Sequence, residues 1–147
     1  MIKCKIQDII NFHPVLEKLF KLSEDEQIKF ELALKILRLH KILAPEYKEY
    51  QTIQTEILKK YGTPREDQVS YEISNENREK FEKHLKALHN LEIEVAFEPF
   101  TEKDFNNTNF LSAMEIYIMG PFITLSEELI DEKLEASFSI DSLNMEI

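Results

Sequence analysis

Residues 23–64 read SEDEQIKFELALKILRLHKILAPEYKEYQTIQTEILKKYGTP, and this stretch decides the fold. From Ser23 to Tyr61 the pattern is helical almost throughout, with one proline, Pro45, near its middle and Tyr61-Gly62-Thr63-Pro64 closing it. Ser23 and Glu26 have the spacing of a capping box, and Glu24, Asp25 and Glu26 suit the positive end of the helix dipole. Between Ile28 and Leu43 the apolar residues Ile28, Phe30, Leu32, Ala33, Leu34, Ile36, Leu37, Leu39, Ile42 and Leu43 cover most of the circumference. A helix apolar nearly all round is buried on several sides, so this half is expected in the core, Leu37 included. After Pro45 the pattern narrows to a seam of Tyr47, Tyr50, Ile57 and Tyr61, flanked by Lys48, Glu49, Glu56, Lys59 and Lys60. Tyr47, Tyr50, Ile57 and Tyr61 are the candidate partner-binding residues, because aromatic stripes anchor interfaces. The competing expectation is that they pack against residues 6–22 of the same chain. Pro45 removes the hydrogen bond to Lys41, which predicts a kink or break at 41–45.

Outward from this helix, residues 6–22 carry apolar side chains at helical spacing and are divided by Pro14, giving two short helices or one kinked helix. Thr63 to Gln68 is polar and loop-like. Val69-Ser70-Tyr71-Glu72-Ile73 and Leu91-Glu92-Ile93-Glu94-Val95-Ala96-Phe97 alternate apolar and polar residues, the mark of half-buried strands expected to pair antiparallel with each other. Between them Ser74 or Asn75 caps a helix to about His89. Leu111 to Met119 is a buried helix or strand that Gly120-Pro121 stops. The fold class expected is α+β and mostly helical: a long helical hairpin beside a small antiparallel β-ribbon. Residues 1–123 form a single globular domain, and 124–147 an acidic C-terminal extension expected as a short helix or a partly disordered segment.

The chain has 147 residues, enough to bury a core without staples. Two glycines argue against a phosphate-cradling loop and against tight hairpins that need positive φ. One cysteine, Cys4, excludes an internal disulfide and suits a reducing compartment. No apolar run reaches signal-peptide or membrane-span length, so synthesis in the cytoplasm and no membrane partner are expected. The net charge of −10 is unevenly placed, with −1 over residues 1–97 and −9 over residues 98–147. The acidic last third repels nucleic acid, which is not an expected partner. It either keeps the protein soluble or attracts a basic surface.

No constellation points to catalysis, metal or cofactor. His84 and His89 share a helix, but a spacing of five turns them about 140° apart, whereas metal pairs on a helix use three or four. Neither His13 nor His40 supplies a ligand spacing. Cys4 stands without a local base, and lone cysteines are usually buried and inert. Glu92 and Glu94 share one strand face and read as a solvated edge.

Ile6-Gln7-Asp8-Ile9-Ile10-Asn11 is followed by Pro14-Val15-Leu16-Glu17-Lys18-Leu19, then by the long helix ending Ile57-Leu58-Lys59-Lys60-Tyr61-Gly62. An asparagine-led helix, Asn77 to His89, then feeds the strand Leu91 to Phe97. Over about residues 5–123 this order resembles a family of small uncharacterised proteins of tailed bacteriophages and prophages. Its members carry a "pxLxkL" segment, a long helix ending "kYG" and a glutamate-rich strand before a proline. Family members usually end near the position of Ile123, so residues 124–147 depart from the pattern. The resemblance implies a phage setting and supplies no catalytic residues. The expected function is non-enzymatic: protein–protein interaction as an accessory virion, tail or assembly component, with a phage structural protein or a second copy as partner. The alternative is an acidic inhibitor that imitates DNA to block a host nucleic-acid enzyme.

Overall fold

A computed structural model describes residues 1–25, 28–105 and 110–125. The chain is α+β and mostly helical. It opens with strand β1 (Ile2–Lys5), runs directly into helix α1 (Ile6–Leu22), and turns into helix α2 (Phe30–Tyr61). Strands β2 (Gly62–Pro64) and β3 (Tyr71–Ile73) follow, then helix α3 (Asn75–His89) and strand β4 (Glu92–Val95). The last described part is strand β5 (Phe100–Thr101), a 3₁₀ turn (Glu102–Phe105), helix α4 (Ala113–Ile118), a second 3₁₀ turn (Gly120–Phe122) and strand β6 (Ile123–Thr124).

Helices α1 and α2 form the helical hairpin. They run antiparallel, since His13 stacks on Tyr47 while Phe20 stacks on His40. Both prolines sit inside unbroken helices. Pro14 and Pro45 are exposed, so the carbonyls that lose a partner, those of Ile10 and Lys41, lie toward water. Of the kink or break expected at 41–45, the break is absent, and α2 continues for 32 residues. Ser23 closes α1 instead of opening α2: its N–H bonds the Leu19 carbonyl and its hydroxyl donates to the Phe20 carbonyl. Its expected partner Glu26 lies outside the described residues.

The strands pair differently from the expected ribbon. β4 lies antiparallel to β1, with Ile2 opposite Val95 and Cys4 opposite Ile93 on the buried face. On the open face Lys3 stands opposite Glu94 and Lys5 opposite Glu92. Apolar therefore meets apolar and cation meets anion at every step, which fixes the register. β3 pairs instead with β2 in a hairpin, its nearest neighbour in sequence. The hairpin needs positive φ at one residue, and Gln68 supplies it at 59°. Asp67 holds the turn by accepting from the N–H groups of Val69 and Ser70. Gly62 is required for space and not for φ: a Cβ there would lie 2.8 Å from the Leu58 carbonyl oxygen and 3.2 Å from the Tyr71 Cβ. β5 and β6 make a short parallel pair.

The main core lies between the hairpin, the β1–β4 pair and the segment 100–123. Phe12, Leu19, Ile36, Leu39, Phe100, Met119 and Phe122 are wholly buried there, and the Phe12 and Phe122 rings lie 4.7 Å apart. Leu125 packs on the same core, so the folded region runs at least that far. No side chain among the described buried residues is polar or charged. The expectation that α2 is buried on several sides fails for Leu37, which is 42 % exposed beside a wholly buried Ile36. Helix α1 covers one side of α2 here. The other side faces outward.

Candidate functional site

Beyond Tyr47, α2 extends past the main core and carries α3 and the β2–β3 hairpin on its distal half. Ser74 caps α3 by accepting from the Asn77 N–H. The helix then lies antiparallel to α2, with His89 beside Tyr50 and His84 beside Tyr61. The predicted contact seam falls in this region. Tyr50 and Ile57 are buried, at 7 % and 4 % exposure, and Tyr47 and Tyr61 are half-buried. Tyr47 stacks on His13 of α1, with centroids 3.6 Å apart and rings 5° from parallel. The Tyr50 hydroxyl is 3.1 Å from His89 Nε2, and burial, helped by the neighbouring Tyr47, pushes its phenol pKa up. The Tyr61 hydroxyl is 3.4 Å from His84 Nδ1. The seam is thus covered within the chain. Tyr47 meets residues 6–22 through His13, and α3 meets Tyr50 and Tyr61 through His89 and His84. A partner that takes the Tyr50 hydroxyl would compete with His89 of α3.

All four histidines join helices. His13 and His40 face α2 and α1 respectively, with His40 Nε2 2.9 Å from Glu17 Oε1, and His84 and His89 bind α3 to the tyrosines. The structure thereby separates the histidines along α2 and brings no three candidate metal ligands together among the described residues. Cys4 is buried under the β1–β4 pair. Burial, with smaller contributions from the charges of Asp8 and Glu46, pushes its thiol up to about 11, so it stays protonated at neutral pH. Such a thiol is a poor nucleophile.

Among the outward surfaces of the described residues are two that sequence reasoning did not name. The first is on α4. Ser112 caps this helix in a capping box with Glu115, and Ile116 and Met119 bury its inner side. Glu115 also takes the Lys18 ammonium at 2.8 Å, which pins α4 to α1. That ammonium, with the Ser112 N–H, holds the Glu115 carboxyl below its usual range. The opposite side presents Met114, Tyr117 and Ile118, at 56 %, 69 % and 36 % exposure. Their i, i+3, i+4 spacing was legible as one face of a helix. The side that turns outward was not. The second surface is a groove between α2 and the end of β4, lined by Leu34, Lys35, Arg38, Ala96 and Phe97, with Glu31 and Glu98 at its rim. Lys35 closes its floor, reaching the Pro99 carbonyl at 3.2 Å and Asp104 at 2.9 Å and lying 5.1 Å from the Phe100 ring centroid. No helix among the described residues is long and apolar enough to cross a membrane.

Both surfaces are open, and neither brings an acid and a base together in an enclosed volume of the kind that proton-transfer chemistry uses. Comparison with known proteins adds no relative to this geometry: no protein-family model, curated protein or solved structure matches the chain.

Proposed function

We propose that the protein is non-enzymatic and acts through protein–protein contact, as an accessory virion, tail or assembly component of a tailed bacteriophage. The observation that carries the contact is the outward face of α4. Met114, Tyr117 and Ile118 expose three large apolar side chains side by side on a helix fixed from behind. Clustered exposed apolar groups mark interaction sites, and a tyrosine among them is a favoured anchor. The phage setting comes from the resemblance over residues 5–123, which also places synthesis in the host cytoplasm. A phage structural protein is the partner of choice, with self-association as the other.

Mass spectrometry of purified particles tests this function. The chain is expected in the particle or in an assembly intermediate, and Met114→Ala with Tyr117→Ala should remove it while leaving its circular dichroism unchanged. Absence of the wild-type chain from both fractions would overturn it. A second function, a DNA-imitating inhibitor of a host nucleic-acid enzyme, draws on the net charge of −9 over residues 98–147. It predicts salt-sensitive binding to a basic enzyme and no association with particles.

A further inference from the structure

Three observations along the free edge of β4 call for the same occupant. The first is the backbone. The Ile6 N–H bonds the Leu91 carbonyl at 3.0 Å, so Leu91, Ile93 and Val95 are the residues whose backbone groups face β1. The N–H and carbonyl groups of Glu92 and Glu94 therefore point away from β1. Among the described residues no second strand pairs with β4, and no backbone hydrogen bond outside the ladder reaches Glu92 or Glu94. The opposite edge of the pair differs, because β1 packs against the 3₁₀ turn Gly120–Phe122.

The second observation is charge. Glu92 and Glu94 are both exposed on the open face of the pair. Lys3 and Lys5 stand opposite them, yet among the described residues neither carboxylate closes an ion pair. The third is apolar surface on the other face. Cys4 is 5 % exposed, while Ile93 directly opposite it is only half-buried, and Leu91, one alternation away, is 53 % exposed. The core covers the β1 side of this face and leaves the β4 side partly open toward Leu91.

An unpaired strand edge is a template for an added strand, and the side chains beside it select which strand. β1 shows what β4 selects. It reads Ile2-Lys3-Cys4-Lys5, apolar on the face of Ile93 and basic on the face of Glu92 and Glu94. A strand on the other edge of β4 meets the same two rows. A second copy of β4 does not fit, since two such edges laid together set glutamate beside glutamate.

We propose that the free edge of β4 takes an extended segment of a partner protein, alternating Lys or Arg with apolar residues, as a third strand. Its backbone bonds the main chain of Glu92 and Glu94, its cations lie beside their carboxylates, and its apolar residues close over Leu91 and Ile93. This surface is separate from the α4 face, and the proposal needs neither α4 nor a phage setting.

The test titrates the isotope-labelled full-length protein to millimolar levels of a short peptide alternating valine and lysine, with both ends blocked. In the free protein the amides of Glu92 and Glu94 should exchange rapidly with solvent and that of Ile93 slowly. The peptide should shift the β4 resonances and slow exchange at Glu92 and Glu94 severalfold. Binding should weaken severalfold in a Glu92→Gln, Glu94→Gln protein, and also at about 0.5 M salt, where the screening length is only a few ångströms. Both glutamates are exposed, so amide dispersion of the variant should match wild type. Absence of any shift at β4 would overturn the proposal. So would equal binding of a valine–glutamate peptide, or binding that leaves exchange at Glu92 and Glu94 unchanged. Slow exchange of these two amides in the free protein would show the edge already occupied and overturn it as well.

Discussion

Replacing Ile57 by alanine is the sharpest test of how the distal half of α2 is built. Ile57 is 4 % exposed and lies outside the main core cluster, where α2 carries α3 and the β2–β3 hairpin. Truncating a buried isoleucine to alanine costs about 2–5 kcal/mol, through lost transfer energy and the cavity left behind. Ile53, one turn earlier, is 39 % exposed, and its truncation should stay within about 0.5 kcal/mol. Urea unfolding followed by circular dichroism measures both, and a total stability of about 5–15 kcal/mol makes the difference easy to resolve. Native-state hydrogen exchange adds location: amides of α3 should lose protection in Ile57→Ala before those of α1. If Ile57→Ala matches wild type in midpoint and in α3 protection, the seam is not internal packing, and α3 does not cover it.

Three further outcomes are expected. Lys3→Glu should destabilise by about 0.2–1 kcal/mol through like charge opposite Glu94, and adding Glu94→Lys should restore most of the loss in a double-mutant cycle. Gly62→Ala should cost about 1–3 kcal/mol in thermal or urea melts, because its Cβ would strike backbone and not a movable side chain. The Lys18–Glu115 pair sets an acid limit: the Glu115 folded pKa lies below its unfolded value, so its contribution is full above about pH 4.5 and is lost as pH falls through the folded value. The pair is part-exposed, so the loss is about 0.5 kcal/mol or less, and Lys18→Met should flatten that part of the stability–pH curve.

Local signals were legible where one element decides its own form. α3 begins at the Ser74 cap and ends at His89 as its sequence implies, because capping and helical spacing act within a few residues. Partners of elements were less legible. Val69 to Ile73 was expected to meet Leu91 to Phe97, yet β2, a Gly-Thr-Pro segment whose Gly and Pro are poor strand formers, is closer in sequence and takes β3. β1 is only four residues long, and its signal, Lys3 and Lys5 facing Glu94 and Glu92, exists only once the two segments are set side by side. Ser23 fits a helix start and a helix end equally, and the Phe20 carbonyl decides between them. Leu37 illustrates the limit for the site: apolar periodicity shows that a position could be buried, and only the surrounding elements determine whether it is. Of the acidic extension expected over 124–147, which carries the other half of the functional expectations, residues 126–147 lie outside the described residues.

The path of the chain after α2 has a mechanical consequence. The stretch from Gly62 to Leu91 leaves the far end of the hairpin and returns to it, with α2 holding one end and the β4 strand on β1 the other. α3 is therefore an arch pinned at both feet and not a fraying arm. When its contacts with Tyr50 and Tyr61 open, about 30 residues gain only the freedom of a closed ring, and the ends never drift apart. Closing a ring of that size carries an entropy near 3 kcal/mol that a free arm would have to lose on every return. Here the anchors of the main core have already absorbed it, so the arch can open and re-seat repeatedly without the core taking part.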